Sequence, residues 1–225
     1  MSNQMLITID LETLPSASPY VRQMCADRIR PPGTMSKPET IAKWEAEAKG
    51  ALIDEAVAKT GLDGTYGSIA VIGFAFGDEP PQTLVADERS EYDVLMAFME
   101  MMHERCTARE RVIFCGHNIH GFDLPFMFKR CVVNKVRPSP WLPFGQRAYS
   151  AQIADTMLMW DDNRERRISL KNLCAVLGVT SSKGEIDGSN VAAAWAAGKC
   201  QDVADYCADD VIATRECYKR IAFKD

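Results

Sequence analysis

The sequence has little that would mark a membrane, secreted or zinc-stapled protein. Its longest apolar stretch, about Ile69 to Phe76, is far too short to cross a bilayer. The opening Met1-Ser2-Asn3-Gln4 has neither the basic nor the apolar region of a secretory signal. A cytoplasmic protein with no membrane contact is therefore expected. No two of the eight cysteines form C-x-x-C, which argues against zinc ribbons and thioredoxin-like motifs. Reduced, mostly buried thiols are the expectation instead. Histidine is scarce, and the pair His117-x-x-His120 lacks partner ligands, so it reads as structural or substrate-facing. Basic excess is missing too. The net charge of −5 disfavours a nonspecific nucleic-acid coat. It leaves room for a nucleic-acid enzyme whose acidic cluster is neutralised by divalent cations.

What is present suits one large domain. The 225 residues are 47% hydrophobic and 25% charged, enough to bury a sizeable core. The chain is organised around Ile7-Thr8-Ile9-Asp10-Leu11-Glu12-Thr13, a buried strand ending in two carboxylates. Residues at i and i+2 of a strand share a face, so Asp10 and Glu12 point together. Like charges held that close raise each other's pKa unless a cation lies between them. Alone, the pattern is equally that of a strand running into an acidic turn.

After this strand, residues 15–67 form a loop-helix insertion: a proline-rich loop with a short helix near Tyr20 to Arg28, then one amphipathic helix over Thr40 to Lys59. Ser68 to Phe76 and Thr83 to Ala86 read as a hairpin. A helix from about Ser90 to Cys106 carries Leu95, Met96, Met99 and Met102 on one face, the methionines as core filler. Val112 to Cys115 is a further buried strand, and Ala151 to Thr156 a last, edge strand. Strand, hairpin, helix, strand, then helices is an α/β pattern with a mixed sheet.

Two more acidic positions follow. Asp123 opens a helix to about Lys135, where an acid also suits the helix dipole. Tyr206 and Asp210 share a face of the final helix, about Gln201 to Ile221, with Cys207 able to pack inward and Asp209 turned outward. Asp155 reads as the structural cap of a short helix, Thr156 to Trp160. Arg164, Arg166, Arg167 and Lys171 form a basic cluster that is either a solvated face or a phosphate contact. Ser169 caps a helix through Leu177 that Gly178 ends.

Taken in order, Asp10-x-Glu12 at a strand end, Asn118-x-x-x-Phe122-Asp123 after a strand, and Tyr206-x-x-x-Asp210 on a C-terminal helix resemble the DEDD exonucleases of the ribonuclease-H-like superfamily, in the subgroup with tyrosine in the last motif (DEDDy). The wording His117-Asn118-Ile119-x-x-Phe122-Asp123-x-Pro125 is most similar to the proofreading 3′–5′ exonuclease domain of family-B DNA polymerases, and closer still to stand-alone exonucleases related to it. The resemblance covers about residues 4 to 222. It implies a ribonuclease-H-like α/β fold, a central mixed five-stranded sheet flanked by helices, in a single domain.

The resemblance also implies a mechanism: hydrolysis of single-stranded DNA from its 3′ end to nucleoside monophosphates, using two Mg²⁺ or Mn²⁺ ions. Such hard cations prefer carboxylate oxygen, and two of them about 3.5–4 Å apart stabilise the attacking and departing oxygens together. Asp10 would bridge both metals, Glu12 and Asp210 would complete one site, and Asp123 would help hold the other. Tyr206 would position the attacking water, a phenol being a poor base at neutral pH. Thr13, Leu14 and Asn118 would touch the terminal nucleotides, and Phe122 would either stack a base or belong to the core. Neither a polymerase module nor an appended helical nucleic-acid-binding domain is expected, and the insertion over residues 15–67 is where substrate choice could differ, so RNA remains an alternative polymer. A non-catalytic nucleic-acid-binding module and a metal enzyme acting on small phosphates are the other readings.

Overall fold

In the computed structural model, which describes residues 3–107, 110–161, 167–181 and 184–224, a five-stranded sheet has the order β3-β2-β1-β4-β5. The strands are β1 (Asn3–Leu14), β2 (Ser68–Phe76), β3 (Gln82–Val85), β4 (Glu110–Gly116) and β5 (Ile153–Asp155). β1 runs antiparallel to β2 and parallel to β4, and β5 is parallel to β4. The sheet is mixed and flanked by helices, as expected, with β5 at one edge.

Alternation in β1 divides the molecule. Ile7, Ile9 and Leu11 enter the main core, where Ile72 and Phe74 of β2 meet Val94, Leu95, Phe98 and Met102 of α4 (Glu91–Arg105) and Met127 of α5 (Asp123–Val133). The polar residues between them, Thr8, Asp10 and Glu12, turn to the opposite face. That face is covered by α9 (Cys200–Ile221), which packs on β1, β2, β3 and β4. Smaller clusters line it: Val71, Val203 and Cys207 at one end, Leu173, Cys174 and Cys217 at the other. All eight cysteines are buried and unbridged.

Residues 15–67 do not form one long helix after α1 (Pro19–Arg28). α2 (Pro38–Glu47) and α3 (Lys49–Ala58) break at Ala48, and a tight turn over Lys59–Leu62 follows. The apolar spacing runs through the break, so periodicity alone could not find it. The segment then returns closely to the sheet. A Cβ on Gly64 would lie 2.7 Å from the Phe126 carbonyl oxygen, and one on Gly67 would lie 2.9 Å from that of Leu14.

A buried ion pair fastens this return. Arg130 of α5 donates from Nε and Nη2 to the two oxygens of Glu91, at 2.8 and 2.7 Å, and from Nη1 to the Gly64 carbonyl at 3.2 Å. Glu91 also accepts from the Ile69 N–H and the Asn134 amide, both at 2.8 Å. One carboxylate thus joins α4, α5 and the start of β2 with bidentate geometry. Among the described residues, no helix is long and apolar enough to cross a membrane.

Candidate active site

β1 and β4 are parallel neighbours, and their register ends at Thr8 opposite Cys115. Beyond it β1 continues while the chain leaves β4, opening a crevice at the carboxyl ends of the strands, where α/β folds place their sites. Asp10 and Glu12 stand on the β1 side of this crevice. Next to them the β1–β2 register slips between Glu12 and Thr13. Such bulges re-aim side chains.

Asp123 arrives from the other side. It is 3% exposed, and its Oδ1 accepts the Leu11 N–H at 3.1 Å, a backbone donor that β4 no longer reaches. The loop before it is pinned by Asp155. The Asp155 carboxylate accepts from the N–H groups of Asn118, His120, Met157 and Leu158 at 3.0 to 3.3 Å. Its structural reading therefore holds, although it serves two segments rather than one helix. Asn118 takes a left-handed conformation (φ 63°), which asparagine tolerates better than most residues. His117 is spent on structure. Its Nε2 donates to the Ile168 carbonyl and its Nδ1 accepts from the Thr156 hydroxyl, each at 2.9 Å. Burial lowers its pKa and keeps it neutral.

α9 brings Tyr206, Cys207 and Asp210 to the same place. It can come this close because Gly73, the β2 partner of Asp10, has no side chain. A Cβ there would lie 2.7 Å from Cys207 Sγ. Cys207 Sγ donates toward Asp10 Oδ2 at 3.4 Å. Ligand atoms of Asp10, Glu12 and Cys207 all lie within 4.8 Å of one another. The Tyr206 hydroxyl is near enough to Asp210 for each to shift the other's pKa. Asp209 is exposed, as its helical phase requires.

The electrostatics follow from this crowding. Burial, then the charge of Asp210, pushes Asp10 up to about 7. Burial pushes Asp210 up to about 6. Glu12, 7% exposed, is raised well above the carboxylate range by burial and by Asp10, Asp210 and Asp123 in turn. Asp123 is raised by burial and by Asp10. Tyr206 is raised by burial and by the same carboxylates. Among the described residues no lysine or arginine offsets these charges, and Glu12 receives no hydrogen bond. Buried charges are normally paired or coordinate metals. An acidic pocket with an unpartnered, buried carboxylate aimed into it is thus chemically suited to divalent cations.

The other sequence-derived residues are placed less directly. Thr13 lies one residue beyond Glu12, and its hydroxyl donates to the Gly61 carbonyl at 2.7 Å. Leu14 and Tyr206 both pack on the Val71–Val203 cluster beside the site. Phe122 is half-buried against the main core with its ring 5.5 Å from that of Phe126. Of the basic cluster, Arg167 and Lys171 are exposed, and Arg164 and Arg166 lie outside the described residues. A cleft of about 340 Å³ runs from Tyr206 and Asp210 past Ser169, Lys171 and Asp187. Sequence reasoning missed Gly73, seen only as part of an apolar strand, and the nearness of the Cys207 thiol to Asp10.

The sheet order and the strand-end crevice define an α/β domain of the ribonuclease-H-like class. The structure is similar to that of the family B DNA polymerase from the hyperthermophilic archaeon Pyrobaculum calidifontis, with a TM-score of 0.62 over 97% of this chain at 15% identity. The chain spans 24% of that polymerase's length, and the likeness speaks for the fold. In sequence, residues 78–224 match the family described as predicted 3′–5′ exonucleases related to the exonuclease domain of PolB. The chain belongs to that family of nuclease domains. The match includes Asn118, Asp123, Tyr206 and Asp210, and begins after Asp10 and Glu12, which the fold brings to them. No curated protein matches the chain significantly in sequence.

Proposed function

We propose that the protein is a metal-dependent 3′–5′ exonuclease that hydrolyses single-stranded DNA ends to nucleoside monophosphates, with Asp10, Glu12, Asp123 and Asp210 as its metal ligands. The observation that carries this reading is that four carboxylates from three different elements, two buried and two half-buried, raise one another's pKa with no lysine or arginine beside them among the described residues. Asp10 feels the charge of Asp210 and raises Glu12 and Asp123 in turn, and it is the proposed shared ligand. Glu12 and Asp210 complete one side and Asp123 the other.

Bound Mg²⁺ or Mn²⁺ supplies Lewis-acid stabilisation of the charge that develops on the attacking and departing oxygens. The protein's own groups do the rest. Asp123, fixed by the Leu11 N–H, and Asp10, held by Cys207, keep the ligand oxygens from reorganising. Tyr206 is held un-ionised by burial and the surrounding carboxylates. It serves by orienting a water through its hydroxyl rather than by taking a proton. The 340 Å³ cleft beside Tyr206 and Asp210 is within the size range of small-ligand sites and admits a nucleotide, with Lys171 at its wall for a phosphate. Thr13, Leu14, Asn118 and Phe122 are the proposed contacts to the terminal nucleotides.

The test is a time course on 5′-labelled single-stranded DNA with Mg²⁺, Mn²⁺ or EDTA, beside Asp10→Ala and an RNA of equal sequence. The expected result is a ladder shrinking from the 3′ end, abolished by EDTA and by the substitution. Faster loss of the RNA would make the protein an exoribonuclease using the same site. Folded protein that binds both polymers and cleaves neither with Mn²⁺ would overturn the catalytic reading in favour of a binding module.

A further inference from the structure

We infer that Cys207 gives the carboxylate site a sulfur ligand, so that Asp10, Glu12 and Cys207 form a subsite for thiophilic divalent cations such as Zn²⁺, Cd²⁺ or Co²⁺, distinct in chemistry from the all-oxygen set that suits Mg²⁺. The inference rests on the reading of Asp10 and Glu12 as metal ligands. Three observations carry it. The thiol is fully buried yet faces a charged group: its sulfur lies 3.4 Å from Asp10 Oδ2. The ligand atoms of all three residues already lie within 4.8 Å of one another. Glu12 is buried without a hydrogen-bond donor among the described residues.

The geometry is close to that of a bound ion. Sulfur at about 2.3 Å and oxygen at about 2.1 Å from a tetrahedral ion stand roughly 3.6 Å apart. The Asp10–Cys207 pair is near that spacing at 3.4 Å, and no pair needs to close by more than about 1.4 Å. Gly73 behind the sulfur and Asp10 before it fix where the thiol sits.

With a hard cation, the thiol keeps its proton and holds Asp10 by hydrogen bonding. With a soft one, the S–H bond is given up, its proton passes to water, and the freed sulfur lone pair joins the ion. The carboxylate site then discriminates between cations by ligand softness, and a thiophilic ion competes with Mg²⁺ for Asp10 and Glu12.

The experiment titrates Co²⁺ and then Cd²⁺ into the full-length protein and reads the near-ultraviolet sulfur-to-metal charge-transfer band, beside Cys207→Ser and Cys207→Ala. Calorimetry follows binding independently of the spectrum, and thermal unfolding verifies that each variant is folded. The expected result is a band in the parent that both variants lose, with Cd²⁺ affinity falling at least about tenfold and Mn²⁺ affinity falling much less. Cobalt that binds in competition with Mn²⁺ but gives no sulfur band would overturn the inference and leave the carboxylate site standing. A band that persists in the folded variants would assign the sulfur to another cysteine and overturn it equally. No divalent binding of any kind would remove the metal site itself, and this inference with it.

Discussion

Gly73→Ala is the most incisive single change, because it tests whether the approach of α9 to the sheet builds the site. The added Cβ would meet Cys207 Sγ at 2.7 Å, Val211 Cγ2 at 3.1 Å and the Cys207 carbonyl oxygen at 3.3 Å. Ordinary contacts begin at about 3.5 Å, so the neighbours must retreat by up to about 1 Å. Neither Cys207 nor Val211 has room, since both are fully buried. The helix itself must lift. Overpacking of this kind costs about 1–3 kcal/mol, which for a domain of this size lowers Tm by roughly 2–12 °C. The larger effect falls on chemistry. Tyr206 and Asp210 ride on the same stretch of α9, and a displacement of about 1 Å at a reacting centre costs on the order of 10²-fold. Urea or thermal unfolding gives the first quantity, and exonuclease assays with Mn²⁺ the second. Adding Cys207→Ala removes the shortest contact and should return part of the lost stability, with a coupling of about 0.5–3 kcal/mol in the double-mutant cycle. Gly73→Ala protein as stable and active as its parent, or a second substitution that restores nothing, would refute the argument.

Further outcomes follow from the same geometry. Asp10 is pushed up to about 7 in the fold, so its contribution to stability is intact below about pH 4 and is lost as pH rises to 7. Metal-free Asp10→Asn should therefore melt no higher than the parent at pH 4 but clearly higher at pH 8, by on the order of 4 kcal/mol at most. Calorimetric scans in EDTA at both pH values check the sign. Mn²⁺ at a hundred times its Kd should stabilise the parent by about 2.7 kcal/mol, a shift of roughly 5–11 °C that EDTA reverses and Asp10→Asn lacks. Arg130→Met strands the Glu91 carboxylate at 13% side-chain exposure and should cost about 3–5 kcal/mol. Adding Glu91→Gln should recover part of that in urea titrations. Asp155→Ala removes the acceptor of four backbone N–H groups. It should cost at least about 1–3 kcal/mol and lower kcat by loosening the Asn118–Asp123 loop.

Much of this was legible in the sequence wherever a local rule governs. Alternation in β1 fixed which residues share a face. Spacing placed Tyr206 and Asp210 together and Asp209 outside. Ser169 and Gly178 marked the ends of α7 (Leu170–Leu177), where the structure has the serine cap and the left-handed glycine. What stayed hidden depends on contacts between distant segments. The break at Ala48 leaves the apolar spacing intact. Gly64 owes its small size to backbone distant in sequence, at Phe126, and Gly67 to Leu14 as well as to nearby Thr60. Gly73 looks like any residue of a buried strand until α9 is laid across it. The thiol of Cys207 reads as core filler until Gly73 and Asp10 are placed on either side of it.

The position of α9 has a consequence for how the protein is made. Asp10 and Glu12 are synthesised before Asp123. α9 is synthesised after all three, and it brings Tyr206 and Asp210 and packs on the face of β1 that bears the acids. A nascent chain that has emerged only as far as α8 (Val191–Ala196) holds an open, incomplete set of ligands. On the proposed reading, the site is inert until α9 docks on the sheet.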